Sequence, residues 1–362
     1  METISVHGAP SEYILQKGSL QLLEEKLKER GFEKVIIVHG RKSWHAARPY
    51  WPALRDTKSI DFTYGGECSF SEIDALSQLA AEHHVDAIIG VGGGKVLDLV
   101  KAASHVTHTP YILIPTLASN CSPWTPVAVI YDNAGVFSRF DVYPEAASLV
   151  LVEPLILLAA PLELLVAGIG DTLAKWYEAD VQMASIADKS VPLQISHHVA
   201  ALCKEQLLTH SEAAIEAVRS GQLNDSFIQI TETVIMLAGM VGGFGDHYGR
   251  VAAAHAIHNG LTALDETHVA LHGEKVAYGI LVQLVLEDKW AEVKTLLPFY
   301  RRLSLPASLK EVGVTDLTSD KINQTAQKAT IPGESIHILP GGPVGTERVA
   351  RAIIDLEAFI GR

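Results

Sequence analysis

Cysteine is scarce in this chain: there are three in 362 residues, Cys68, Cys121 and Cys203, widely spaced and without a Cys-x-x-Cys pair. That pattern argues against a structural zinc knuckle, a dithiol redox motif or a disulfide framework, and it fits a reducing compartment. No basic run with interleaved aromatics occurs, and the formal net charge of -13 repels polyphosphate backbones, so nucleic acid is not expected as a partner. The opening residues, Met1-Glu2-Thr3-Ile4-Ser5-Val6-His7, lack a charged-then-apolar leader, so no export signal is expected. The most membrane-like window, 149–167, contains Glu153, Pro154, Pro161 and Glu163, which are costly in hydrocarbon. It is expected to be a strand, a turn and a short helix of a cytoplasmic protein with no membrane partner. Internal repeats and low-complexity tracts are also missing, and with 48% apolar and 20% charged residues the chain is not disordered.

What is present divides in two. A chain of 362 residues exceeds what one hydrophobic core usually serves. The first part alternates helical stripes with short apolar runs: Leu20 to Arg30 then Val35-Ile36-Ile37-Val38, Ser71 to His84 then Ala87-Ile88-Ile89-Gly90-Val91, and a helix carrying Val96, Leu99, Val100 and Ala103 before Tyr111-Ile112-Leu113-Ile114. Such alternation predicts a mostly parallel sheet covered by helices, with ligands beyond the strand C-termini. After about Val152 long helical patterns take over, over 171–185, 192–216, 226–239 and 274–290. Breaks are expected at Ser220-Gly221-Gln222, Gly242-Gly243-Phe244-Gly245 and Pro340-Gly341-Gly342-Pro343. The expected division is an α/β domain over 1–160 and an all-helical domain over 161–362.

Two strings suggest chemistry. Gly92-Gly93-Gly94-Lys95-Val96-Leu97-Asp98 follows a strand and opens a helix, where unpaired amides and the helix dipole favour a phosphate. It is neither Gly-x-Gly-x-x-Gly nor a Walker loop, and alone it reads equally well as a tight turn. After the first strand, His39-Gly40-Arg41-Lys42-Ser43 has two cations where an NAD site usually has an acid at the adenosine ribose. Gly40, Arg41 and Lys42 therefore point to NADP(H) in preference to NAD(H), with a solvated turn as the plainer explanation.

The second string is rich in histidine. A catalytic divalent cation takes about three His or carboxylate ligands and leaves one position open. His255 and His258 lie three apart, and His268 and His272 four apart, so each pair is expected to share a helical face. Spacing alone does not choose among these four. Asp171, after Gly168-Ile169-Gly170, reads on its own as a helix N-cap.

Taken together, Gly92 to Asp98, Pro115-Thr116-Leu117-Ala118-Ser119, Gly168-Ile169-Gly170-Asp171, His255-Ala256-Ile257-His258-Asn259-Gly260 and His272-Gly273-Glu274-Lys275-Val276-Ala277 resemble the iron-containing alcohol dehydrogenase family, in particular its glycerol dehydrogenase-like group. The resemblance runs in order along nearly the whole chain. It implies a dinucleotide-binding α/β domain plus an all-α domain in a dehydroquinate synthase-like fold, an NAD(P)-linked metal-dependent activity on alcohols or carbonyls, and a homo-oligomer. Carried over by position, it implies metal ligands at Asp171, His255 and His272, with Lys175 where the iron-binding branch has a fourth ligand, so that Zn2+ is favoured over Fe2+. His258 becomes a proton-relay or substrate-orienting group, or else a second hydrogen-bonding His. Cofactor contacts fall on Gly92, Gly93, Gly94, Lys95, Val96 and Asp98, on Thr116 and Ser119, and on Thr125, Val127 and Tyr131 near the nicotinamide.

Departures from the resemblance bear on the substrate. Glycerol dehydrogenases carry a polyol-facing acid where this chain has Cys121, and an acid for the adenosine ribose where it has Gly40. A site that binds hydroxyls discriminates through its polar partners, so glycerol is disfavoured. The strings Gly170-Asp171-Thr172-Leu173-Ala174-Lys175-Trp176-Tyr177-Glu178-Ala179 and Gly239-Met240-Val241-Gly242-Gly243 look similar to a hydroxycarboxylate dehydrogenase branch, which implies NADPH-linked reduction of 2-oxo acids. The rivals are glycerol dehydrogenase, glycerol 1-phosphate dehydrogenase, a dehydroquinate synthase-like lyase and a non-catalytic nucleotide-binding module. The phosphate-handling rivals need clustered cations that are not found around the His run.

Overall fold

A computed structural model of the protein describes residues 3–361, which form two compact units. The first comprises His7–Pro161 together with Ala217–Leu223. Its sheet has six strands, all parallel, in the order β1 (Tyr13–Leu15), β8 (Leu149–Val152), β5 (Tyr111–Pro115), β4 (Ala87–Gly92), β2 (Lys34–His39) and β3 (Lys58–Thr63). Helices α1 (Leu23–Glu29), α2 (Arg41–Ala47), α3 (Phe70–His83) and α4 (Gly94–Thr107) connect them. The central strands β4, β5 and β8 are buried along their length, as their unbroken Val, Ile and Leu runs require of a sheet covered on both faces.

Strand order reverses beside β2. The chain leaves β2 for β3 on one side and returns to β4 on the other. This topological switch brings the carboxyl ends of β2 and β4 together, the usual place for a dinucleotide in an open α/β sheet. His39 pairs with Val91 there, and the Ser43 hydroxyl donates to the Val91 carbonyl at 2.8 Å. The Gly40-Arg41-Lys42 turn and the Gly92-Gly93-Gly94 turn are thereby neighbours.

An antiparallel hairpin, β6 (Val127–Tyr131) and β7 (Phe137–Val142), was not foreseen from the sequence. A buried ion pair anchors it. Lys101, 1% exposed, donates from Nζ to Asp98 Oδ1 at 2.9 Å, Ser122 Oγ at 2.9 Å and the Val127 carbonyl at 2.7 Å. Asp98 in turn accepts from Ser122 Oγ at 2.7 Å and from the Val129 amide at 3.1 Å. Every donor of the ammonium is used. Lys101→Met should therefore lower unfolding stability by about 3–5 kcal/mol in urea titrations, because it strands the buried Asp98 charge, and adding Asp98→Leu should recover part of the loss.

The second unit, Leu162–Glu216 and Asn224–Arg362 with the N-terminal residues to Val6, is helical. After α5 (Pro154–Leu158) at the end of the first unit, its helices are α6 (Leu162–Met183), α7 (Val191–Ser220), α8 (Asp225–Glu232), α9 (Ala238–Gly245), α10 (Ala253–Leu261), α11 (His272–Leu286), α12 (Trp290–Leu303), α13 (Ser319–Ala329) and α14 (Thr346–Ile360). A π-helical turn over Thr233–Leu237 joins α8 to α9. By length and composition the stretch Asp225–Gly249 is apolar enough to cross a membrane, yet 56% of its most apolar window is buried, and Val234, Ile235 and Val241 are fully covered.

Three sequence expectations change. The chain stays helical through Gly242 and Gly243 and turns at Asp246, whose φ is 50°. The expected helix over 274–290 ends at Leu286 because Asp288 takes a φ of 57°, and α12 starts at Trp290. His268 lies in a single 3-10 turn, Asp265–Val269, while His272 opens α11, so these two do not share a helical face.

Candidate functional site

Asp171 is not an N-cap. It is buried in the middle of α6, and the Gly-Ile-Gly before it is helix interior. Those glycines let backbones touch. A Cβ on Gly170 would stand 2.7 Å from the Gly273 carbonyl oxygen, one on Gly273 would stand 1.8 Å from that of Ala167, and one on Gly279 would stand 2.3 Å from that of Ala254. Thus α6 and α10 both press against α11 at positions where only glycine fits. The three helices then present Asp171, His255 and His272 to one another.

One donor atom from each of these residues lies within 4.8 Å of the others. Asp171 Oδ1 is 3.5 Å from His255 Nε2 and 3.2 Å from His272 Nε2. Ligands about 2.0–2.2 Å from a shared tetrahedral cation stand roughly 3.3–3.6 Å apart, so the spacing fits a single ion. The chemistry of the set, one carboxylate and two imidazoles, is that of a catalytic divalent site with a position left open.

Both imidazoles are aimed from behind. Glu178, 1% exposed, holds His255 Nδ1 at 2.6 Å and also accepts the amides of Ala252 at 2.7 Å and His255 at 2.9 Å. His272 Nδ1 meets His258 Nε2 at 3.0 Å, and His258 Nδ1 meets Asn259 Oδ1 at 3.0 Å. The Asn259 amide nitrogen donates to both Glu334 oxygens at 3.2 Å. Since an amide oxygen only accepts, His258 carries its proton on Nδ1 and receives the His272 N–H at Nε2. Each Nε2 is left facing Asp171.

Charges follow this geometry. Burial opposes ionisation of Asp171, but the His255 and His272 imidazoles beside it outweigh that and hold the carboxyl well below its usual range. Burial would likewise depress His255, yet the Glu178 charge and the Asp171 contact push it up to about 9. Burial and the neighbouring His272 and His255 keep His258 well below its usual value, hence neutral. Lys175, nearly buried, donates to the Arg250 carbonyl at 3.3 Å. His268 is exposed and is not part of the cluster.

Glu178 was not singled out from the sequence. It lies seven residues after Asp171, two turns along the same face of α6, and that spacing was the available signal. Glu178→Gln should place an amide N–H or a misdirected oxygen at His255 Nδ1, and metal affinity should fall about 10–100-fold in competition with a chelator. An unchanged affinity would show that the carboxylate does not orient the ring.

In the first unit, Gly92 ends β4, Gly93 is the N-cap of α4 with no side-chain cap, and Gly94 and Lys95 begin the helix. The uncapped first turn of this helix fits an anionic group. The Lys95 ammonium pairs with Glu67 and lies 5.0 Å from the Tyr131 ring centroid. Val96 and Thr116 are buried, and Ser119, Cys121, Thr125, Val127 and Tyr131 are partly exposed. The Asp98 carboxylate is turned inward to Lys101, Ser122 and Val129. Arg41 and Lys42 are exposed in the first turn of α2. Cys68 is fully covered, and burial pushes its thiol up to about 12, which rules it out as a nucleophile at neutral pH.

Comparison with known proteins places these features in context. A family model described as iron-containing alcohol dehydrogenase matches residues 10–154. The chain is 39% identical over 342 residues to hydroxycarboxylate dehydrogenase A of Escherichia coli, covering 93% of each chain. It is 40% identical over 352 residues to a glycerol dehydrogenase of Pseudomonas putida, covering 96% of this chain and 95% of the relative. Its fold matches the crystal structure of a probable glycerol dehydrogenase from Sinorhizobium meliloti with a TM-score of 0.87 at 32% identity, over 98% of this chain and 99% of the other.

Proposed function

The chain belongs to the iron-containing alcohol dehydrogenase family, metal-dependent NAD(P)-linked oxidoreductases acting on CH–OH groups, and we propose that it reduces 2-oxo acids to 2-hydroxycarboxylates with NADPH. The convergence of Asp171, His255 and His272 carries the oxidoreductase reading. The narrower substrate rests on Cys121, a cysteine where the glycerol dehydrogenase pattern has an acid that would repel an anion, and on the similarity to hydroxycarboxylate dehydrogenase A. NADPH is favoured by Arg41 and Lys42, exposed cations beside the switch-point glycines, with no acid in that turn.

Asp171, His255 and His272 would hold the cation, and their mixed oxygen and nitrogen donors suit Zn2+. Bound there, it supplies Lewis acidity to the reacting substrate oxygen, while the nicotinamide supplies or takes up hydride. Glu178 fixes the His255 tautomer and keeps its Nε2 forward. His258 does the same for His272. We assign His258 to positioning in place of proton relay, because its Nδ1–H ends on the Asn259 amide oxygen, which passes no proton onward. The first-turn amides of α4 and the Lys95 ammonium would hold the pyrophosphate, which requires Lys95 to swing from Glu67. The scarce cysteines, with Cys68 and Cys203 buried, fit a cytoplasmic setting.

A second reading, zinc-dependent glycerol dehydrogenase using NAD, is favoured by the 40% identity to the Pseudomonas putida enzyme. Steady-state assays with 2-oxo acids, polyols, aldehydes and phosphorylated ketones, each with both cofactors, separate the two. The expected result is the highest kcat/KM for a 2-oxo acid with NADPH, at least about tenfold above glycerol with NAD, a difference of roughly 1.4 kcal/mol in transition-state binding. The reverse ranking contradicts the proposal, and a clear preference for NADH contradicts its cofactor half.

A further inference from the structure

The loop after β5 lies on the glycine turn after β4. The Thr116 amide donates to the Gly92 carbonyl at 3.0 Å, which ties the two strand ends together. A Cβ on Gly93 would stand 2.8 Å from Leu117 Cδ1, and one on Gly94 would stand 3.1 Å from Asn120 Nδ2. Two of the three glycines therefore make room for this loop.

Asn120 is held so that its nitrogen is the unused end. Its Oδ1 accepts the Ser122 amide at 3.0 Å. A backbone N–H only donates, so that contact identifies the oxygen and leaves the NH2 group nearest Gly94. Among the described residues Asn120 Nδ2 has no hydrogen-bond partner, and the side chain is partly exposed. Ser122 is itself fixed, because its hydroxyl donates to Asp98 Oδ1 at 2.7 Å and accepts from Lys101 Nζ at 2.9 Å. Gly94, Asp98 and Lys101 follow one another at helical spacing, so they share the face of α4 that this loop covers. Through Ser122 the buried ion pair thus steadies a carboxamide donor beside the first turn of α4.

We propose that Asn120 is a cofactor-binding residue, donating from Nδ2 to a pyrophosphate oxygen of the dinucleotide at the start of α4. The inference rests on the dinucleotide reading given above and adds to it a side-chain donor in place before the cofactor arrives. Lys95 must first leave Glu67, whereas the Asn120 nitrogen has no protein bond to break. A donor already aimed pays little ordering cost on binding. The first-turn amides of α4 draw an anion to the same point, and an N–H bond to a charged acceptor is roughly twice as strong as one to a neutral acceptor.

Titration calorimetry of the full-length protein with ADP, NADH and NADPH tests this, with adenosine measured by displacement of bound nucleotide. N120A should weaken ADP and the dinucleotide that the parent binds by about 10-fold, the loss of one hydrogen bond to a charged acceptor. N120D should weaken them by about 100-fold, because it sets a carboxylate against the phosphates. Adenosine, which has the base and ribose without phosphate, should bind both variants as it binds the parent. N120D keeps an oxygen for the Ser122 amide, so it tests the donor even where N120A disturbs the loop. Parental affinity for ADP and the dinucleotide in N120D, or an equal loss for adenosine and ADP, would overturn the assignment of Asn120 alone. A parent protein that binds neither dinucleotide would remove the cofactor reading and this inference with it.

Discussion

Replacing His272 with alanine is expected to yield protein that binds NADPH as tightly as the parent but retains no stoichiometric metal, with turnover lower by about a thousandfold or more. The side chain opens α11 and supplies one corner of a three-donor set: its Nε2 is 3.2 Å from Asp171 Oδ1, which in turn is 3.5 Å from His255 Nε2. Removing it leaves two ligands, too few for a cation that otherwise exchanges with water. Lewis-acid stabilisation is worth several kcal/mol, and each 1.36 kcal/mol is tenfold in rate, which sets the expected scale. The nucleotide site proposed above lies at the switch-point turns of β2 and β4 in the first unit, so fluorescence titration with NADPH should be unchanged. Substantial turnover by a metal-depleted H272A enzyme would remove the mechanism proposed above.

The other large effect is expected one residue away. Gly273→Ala places a Cβ 1.8 Å from the Ala167 carbonyl oxygen and 2.6 Å from its carbon, and both belong to helix backbone that no rotamer change can move. The helices α6 and α11 would have to separate by more than an ångström. Overpacking typically costs about 1–3 kcal/mol, and a backbone clash stands at or above the upper end, roughly 4 °C or more in Tm for a protein of this size. Separation also draws Asp171 from His272, so metal affinity and turnover should fall together with Tm. The control is Gly345→Ala, at the N-cap of α14 with open space at the Cβ position, which should shift Tm little. A Gly273→Ala protein with parental Tm and metal content would show that close helix approach is not what assembles the site.

These glycines explain where the sequence was hard to read. Val35 to Val38 and Ala87 to Val91 are apolar without alternation, so the buried parallel sheet was legible from periodicity, as was the Gly92 turn between β4 and α4. Gly168-Ile169-Gly170 carried the opposite message. Glycine is a poor helix former, which made Asp171 look like a cap, whereas tertiary packing needs small residues there and overrides propensity. His255 and His258 do share α10, but local spacing could not say which points at Asp171, because that depends on how α6 and α10 lie on α11. Glu178 stayed hidden for the same reason: its partner is 77 residues away. The β6 and β7 hairpin was missed because Phe137 to Val142 is exposed and mixes Arg, Asp and Ser with aromatics, leaving no buried face to set a clean period of two.

The most direct test is anomalous diffraction from crystals of the enzyme grown with its native metal, measured above and below the zinc and iron edges. The account predicts one strong peak about 2.0–2.3 Å from Asp171 Oδ1, His255 Nε2 and His272 Nε2, appearing at the zinc edge. A peak anywhere else, or none at that position in fully active crystals, would contradict it.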